Sequence, residues 1–376
     1  MKALFVHDHV FLKYKERFYS NGKLTYDVLK YYLEFCSELT VIGRFKIVHY
    51  DPGVQFISDG SKVTVIGLHS PVSLNGLLYY KKTKQFLVGL IRNNDFLIIR
   101  QPSELGLFSA HLAKKFKVPY IVEMVASPFD CLWYRGDLLA KLYAPLLHLR
   151  VKFSIMHSGH VIYVTNEYLQ NKYPTLGSYI GVSDARVDSS NAKVRTIDNK
   201  DKLVIGVIAN PALSLKGISF LYEAFNKLDS SRFELQIVGG TLESELEILM
   251  SKSSSIKQLG FIARQEDLFS WLKKIDVYVQ PSLTEGLPRS IIEAMSFGVP
   301  AIGSNVGGIS EIVHKKCLFK SGDVDEIVNV INTLTGDLSL YTDVSNHSVV
   351  VSSFFNKSLD VKKENFFNTF KLDTMK

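Results

Sequence analysis

Two glutamates, Glu285 and Glu293, stand with seven residues between them in VYVQPSLTEGLPRSIIEAMSFGVPAIGSNVGGISE, the segment from 277 to 311. An apolar run ends at Gln280, the loop PSLTEGL follows, and Pro288 stands where a first helical residue tolerates the missing N–H. Ile291, Ile292 and Met295 then supply an apolar helical face that Gly298 and Pro300 terminate. This pattern puts Glu285 in a strand-to-helix loop and Glu293 about one and a half turns into the helix. Open α/β sheets bind ligands at the carboxyl ends of parallel strands, and the first-turn amides of the helix face that loop, so phosphate is the natural guest. Carboxylates would repel a pyrophosphate they touched. Their partners are therefore hydroxyls, which donate charge-assisted hydrogen bonds to them. Phosphate joined to a hydroxyl-rich group describes a sugar nucleotide. The competing reading is two solvated acids near a helix start, where the dipole favours negative charge.

Elements that could position such a loop recur along the chain. Short apolar runs alternate with longer helical stretches: Ala3 to Val6, Leu39 to Ile42, Val63 to Ile66, Phe96 to Ile99, Tyr120 to Val125 and Val161 to Val164. After the polar stretch from Ser189 to Lys202 a second series follows, at Leu203 to Ile208, Glu234 to Val238, Ile256 to Leu259, Val277 to Val279 and Ala301 to Ile302. The alternation predicts parallel strands with crossover helices, an α/β fold of two doubly wound domains. The boundaries expected are 1–195, 196–353 and a tail at 354–376. Leu359, Phe366, Phe367 and Phe370 share one stripe of a tail helix, which predicts that it docks back on the body.

The 376 residues, 46% of them hydrophobic, suffice for two cores and exclude global disorder. The apolar run before His7 and Asp8 is too short for a signal peptide or a membrane span, which predicts a cytosolic protein. Cys36, Cys131 and Cys317 lack metal-site spacing and read as buried free thiols. The net charge of +7 favours an anionic partner without choosing among phosphates, nucleic acid and acidic membrane. His7, Asp8 and His9 alternate as strand residues do and could suggest a metal, but with no third and fourth ligand cluster in view they read as a strand-end turn lining a cleft.

The segment 277–311 resembles the retaining glycosyltransferase family 4, which has the GT-B fold of two Rossmann-like domains facing a central cleft. EGLPRSIIEAM carries that family's glutamate pair, and GVPAIGSNVGGISEIV continues the pattern. LGFIARQEDLFSWLKKIDVYVQPS and VIGVIANPALSLKGISFLYEAF agree with the family in order and spacing. The first domain is similar to bacterial capsule and lipopolysaccharide transferases through FVHDHVF, YSNGKLTYDVL, IVEMVASPFDCLW and VIYVTNEYLQNKYP.

The resemblance implies roles. Glu285 would contact the transferred sugar and Glu293 the ribose hydroxyls. Lys216, before Gly217, would neutralise the diphosphate leaving group, a large catalytic contribution in a dry cleft. The amides of Gly286, Leu287 and Arg289 would add hydrogen bonds, Ile262 would meet the nucleobase, and Gly22 is either a helix-entry glycine or a loop that the donor approaches. Asn210 lies where relatives often carry an arginine and cannot supply its charge, so Arg289 or Arg264 would replace it, or the diphosphate is held with one cation fewer. Val125 occupies the place of the family's first-domain histidine, leaving Asp8 or Glu123 as acceptor-side candidates. The implied donor is a UDP- or GDP-sugar, the acceptor a lipid-linked glycan, with no cofactor and no metal.

Lys81, Lys82 and Lys84 among Leu77, Leu78, Tyr79, Tyr80, Phe86 and Leu87, and Arg150 and Lys152 near Leu146, Leu147 and Phe153, form basic amphipathic stretches. Such helices lie on anionic membranes or pack on a core with a solvated face. The rival functions are a sugar-nucleotide epimerase, a phosphorylase, a silent glycan-binding subunit of the same fold, and a nucleic-acid binder, which would explain the charge but not the glutamates.

Overall fold

A computed structural model describes residues 1–20, 23–69, 80–190, 192–197, 202–240, 245–355 and 358–374. The first sheet contains β1 (Lys2–Tyr14), β2 (Arg17–Tyr19), β3 (Glu38–Ile47), β4 (Val63–Gly67), β5 (Phe96–Gln101), β6 (Tyr120–Met124), β7 (His160–Tyr163) and β8 (Ser178–Gly181). Its order is β4-β3-β1-β5-β6-β7-β8, with β2 antiparallel to β1 and every other pairing parallel. The second sheet, all parallel, runs β11-β10-β9-β12-β13-β14 from β9 (Leu203–Ile208), β10 (Phe233–Val238), β11 (Ile256–Gly260), β12 (Val277–Gln280), β13 (Ala301–Ser304) and β14 (Leu318–Phe319).

The apolar runs form strands because they are buried on both sides: residues 3–6, 96–99 and 277–280 are all fully or nearly fully covered. Three strands were not anticipated. β2 and β14 are only three and two residues long, and β8 is half exposed, so none carries a sustained apolar run.

The helices that bear on function are α1 (Tyr80–Arg92), α2 (Glu104–Phe116), α3 (Pro128–Trp133), α4 (Leu138–Met156), α5 (Tyr168–Lys172), α6 (Arg289–Met295), α7 (Ile309–Ile312) and α8 (Ser358–Thr374). Leu87 and Ile91 sink α1 into the first domain; Leu77, Leu78 and Tyr79 lie outside the described residues. α8 returns to the first sheet. There Phe366, Phe367 and Phe370 join the core around Phe5, Phe35 and Phe96, with Phe367 stacked on Phe35 at 4.1 Å. Cys36 and Cys317 are buried free thiols, whereas Cys131 is only partly covered.

In both sheets the order reverses inside: around β1 and β5 in the first, at β9 and β12 in the second. Loops leaving neighbouring strands at such a switch point diverge to opposite faces and leave a crevice at the carboxyl ends. The two crevices face each other.

Candidate functional site

A cleft of about 720 Å³ occupies that place. The second domain lines it with Ile208, Lys216, the run Glu285 to Ser290, and Glu293. The first domain contributes His7, His9, Lys23, Tyr32, Arg100, Asp184 and Arg186, and α8 contributes Lys363.

Lys216 closes a single 3-10 turn, Ser214–Lys216, that follows β9. Gly217 then takes φ +65° against the loop after β12; a Cβ there would come within 2.0 Å of the Pro281 carbonyl. The Leu283 amide donates to the Leu215 carbonyl at 2.9 Å, so the turn and the loop are stitched together. The result is an ion pair, Lys216 Nζ to Glu285 Oε1 at 2.6 Å. The same Oε1 accepts from Ser282 Oγ at 2.8 Å and lies 3.4 Å from Gln280 Nε2. Three donors from the β12 end and the 3-10 turn thus fix one carboxylate oxygen.

Pro288 is the N-cap of α6, and Glu293 lies in that helix, mostly buried. Burial pushes its carboxyl above the usual range, with Arg289 opposing the effect. A carboxylate short of water in a cleft is a strong acceptor for hydroxyl donors. Arg289 itself is exposed and lines the cleft. Gly286 and Leu287 are buried lining residues.

Other candidates lie elsewhere. Asn210, in the loop after β9, accepts from its neighbour's amide at Ala212 at 2.9 Å. Ile262 packs on the second domain's core, beside Phe261, whose ring is 5.9 Å from Phe56 of the first domain. Arg264 pairs with Asp267 at 2.7 Å. None of these three is among the described residues lining the cleft. Gly22 falls outside the described residues.

Asp8 and Glu123, the acceptor-side candidates, are also not among that lining. Asp8 accepts from the amides of Glu104 (2.5 Å) and Leu105 (3.2 Å) at the start of α2, and burial outweighs those bonds to raise its pKa. Glu123 is 3% exposed beneath the cleft. Its Oε2 accepts from Tyr32 Oη at 2.7 Å and Arg100 at 3.0 Å, and its Oε1 forms an ion pair with Lys363 Nζ at 3.0 Å. Burial alone would raise its pKa; Lys363 and Arg100 overcome that and hold it at about 2.

What reaches the cleft from β1 instead is His7 and His9. The register of β1 on β3 breaks between Val6 and Val10, which frees residues 7–9 from regular pairing. His7 Nδ1 lies 3.2 Å from the Arg100 carbonyl and His9 Nε2 lies 2.8 Å from Ser20 Oγ. Burial, with the neighbouring cations, lowers His7 to about 3 and His9 to about 4, so both are neutral near pH 7. A carbonyl only accepts, so Nδ1 of His7 carries the proton and Nε2 is left as an acceptor. The alternation of His7 and His9 was the sequence signal for this pair. Lys363 had none: beside Lys362 it reads as a solvated face, yet it is 4% exposed.

The domains touch at the cleft's edge. Glu311 of α7 accepts from the amides of Asn166 (2.7 Å), Glu167 (3.2 Å) and Tyr168 (2.8 Å) at the start of α5.

Residues 202–337 match the family described as "Glycosyl transferases group 1". Protein CapJ of Staphylococcus aureus is 34% identical over 343 residues, 88% of this chain and 86% of its own length. The capsular polysaccharide biosynthesis glycosyltransferase CapM of the same organism is 28% identical across 79% of this chain and 80% of its own. Among solved structures, Anabaena HepE in complex with UDP and glucose superposes with a TM-score of 0.68 at 16% identity, covering 98% of this chain and 100% of that one, a likeness of fold. With two facing parallel-sheet domains and these relatives, the chain belongs to the group 1 glycosyltransferases of the GT-B fold and is a glycosyltransferase of bacterial surface polysaccharide synthesis.

Proposed function

We propose that this glycosyltransferase moves a sugar from a UDP- or GDP-sugar to a lipid-linked glycan, with retention of anomeric configuration and without a metal, as a cytoplasmic enzyme. The observation that carries the reading is the Lys216–Glu285 pair at the β9/β12 switch point, with Glu293 of α6 lining the same cleft. A sugar diphosphate entering there brings its negative charge to Lys216, which shares its protons between phosphate and carboxylate. As the bond to the diphosphate breaks, charge builds on the phosphate oxygens, and a cation fixed beforehand stabilises it without reorganisation. Arg289 adds a second cation at the rim, in the role that Asn210 cannot fill. The amides of Gly286, Leu287 and Arg289 supply the remaining hydrogen bonds.

Glu293 takes the ribose hydroxyls. Glu285, held by Ser282 and Lys216, orients the transferred sugar. On the acceptor side, Nε2 of neutral His7 receives a hydroxyl proton in a hydrogen bond and aligns the attacking oxygen. The UDP in HepE favours UDP over GDP as the donor to try first.

A panel of UDP- and GDP-sugars incubated with protein and native glycolipid extract, with chelator present, tests this. Nucleoside diphosphate release that needs extract, persists in chelator and vanishes in Glu285→Ala is expected. Donor consumed without extract would indicate an epimerase, and no donor binding at all would indicate a silent glycan-binding subunit.

A further inference from the structure

Helix α4 is apolar on two opposite faces, and only one of them is covered. Ala140, Ala144, Leu147, Val151 and Ile155 are buried against the first domain. On the far side Leu138, Leu139, Leu142, Leu146, Leu149 and Phe153 are between 53 and 77% exposed. At 3.6 residues per turn these six fall within about 100° of arc and run for about 22 Å along the axis. A helix apolar all round belongs in an interior. This one borders solvent, so its outer face is built to be covered.

Charge points to the cover. The helix has no acidic residue, while Lys141 and Lys152 flank the stripe on one side and Arg150 on the other. Arg150 is neutralised by Glu104 at 2.9 Å, which leaves the two lysines, and Lys114 adjoins Phe153 in a groove between α2 and α4. Trp133, at the end of α3, is 42% exposed with Lys141 over its ring at 5.9 Å. Leucines and an aromatic along one face, lysines at its margin and a tryptophan at its end are what an interfacial helix presents to anionic headgroups. No described helix is long and apolar enough to cross a membrane.

We propose that α4 docks in the plane of an anionic lipid bilayer through this leucine stripe. The Tyr134 carbonyl between α3 and α4 accepts from Ser214 Oγ at 2.8 Å, two residues from Lys216. Docking therefore sets the catalytic cleft beside the headgroups, where the sugar end of a lipid-linked acceptor lies. The proposal extends the lipid-linked acceptor reading above, but its test needs no turnover.

The experiment is flotation of the full chain with phosphatidylglycerol-containing or pure phosphatidylcholine vesicles, comparing wild type with Leu142→Ser/Leu146→Ser, both first shown by circular dichroism to be folded and by sedimentation to be monomeric or dimeric. Expected is flotation of a monomer with the anionic vesicles, a blue shift of Trp133 emission, and a loss of affinity of about tenfold or more in the double variant. Wild type that stays unbound with anionic vesicles, or a variant that floats as well as wild type, overturns the proposal. So does a dimer that the same substitutions dissociate, since a second copy would then be the cover. Transfer to a water-soluble acceptor is expected to be unchanged in the variant; the absence of transfer to soluble acceptor and to glycolipid extract alike in wild type, alongside intact flotation, would defeat the functional reading and leave the docking standing.

Discussion

The carbonyl oxygen of Val125 lies so close to Gly286 that a Cβ there would come within 2.0 Å of it. This contact joins the end of β6 in one domain to the glutamate loop of the other, with backbone against backbone. Gly286 also accepts from the Gly308 amide at 2.6 Å, so the loop cannot simply retreat. Gly286→Ala is therefore expected to push the domains apart while leaving each core intact. A displacement near 1 Å at the reacting atoms lowers turnover by about 100-fold. Circular dichroism unchanged from wild type, with kcat reduced and donor KM little affected, is the result to look for.

Removing Lys216 is expected to cost more than removing a positive charge. On the proposed reading, Lys216→Met takes away the cation that meets the diphosphate, and it leaves Glu285 partly buried beside Ser282 and Gln280. The loss in kcat should be roughly 100- to 1,000-fold, as for a deleted transition-state donor. Glu285→Gln/Lys216→Met should then fall by less than the product of the single effects, because the two groups act as a unit.

Acid should weaken the fold through His7 and His9. Their folded pKa values, about 3 and 4, lie below the unfolded value of 6.5. Between those limits the unfolded chain binds protons that the folded chain refuses, so stability falls as pH drops from 6.5 towards 4 and is unaffected above it. Each histidine accounts for up to about 2 kcal/mol at about pH 5. Urea unfolding of His7→Gln/His9→Gln should show a flatter pH dependence in that window than wild type.

Lys363 ties α8 to the floor of the cleft. Lys363→Met leaves Glu123 with Arg100 and Tyr32 only, in surroundings where both acid and lysine are almost fully covered. A loss of about 3 kcal/mol is expected in chemical denaturation. The variant also raises the Glu123 pKa from about 2, so acid unfolding should begin at a higher pH than in wild type.

The strand alternation was most readable where a strand is a short apolar run buried on both faces, as at Phe96 to Ile99 and Val277 to Val279. The glutamate loop was readable for a local reason: Pro288, the apolar face from Ile291 to Met295, and Gly298 fix the element without distant help. Long-range partners were not. Asp8 meets amides ninety-six and ninety-seven residues away, and Glu123 meets a lysine from the tail helix; no local spacing encodes either. The outer leucines of α4 look the same in sequence as its buried ones, and only the packing separates Leu146 from Leu147.

Because Phe366, Phe367 and Phe370 follow the whole second domain in the chain yet complete the first domain's core, the order of synthesis and the order of assembly differ. On the ribosome the first sheet emerges early with Phe35 and Phe96 uncovered, and it must wait through the translation of the second domain before α8 arrives to seal it. The nascent first domain is thus an unfinished body for most of its birth, exposed to chaperones and to aggregation until α8 arrives.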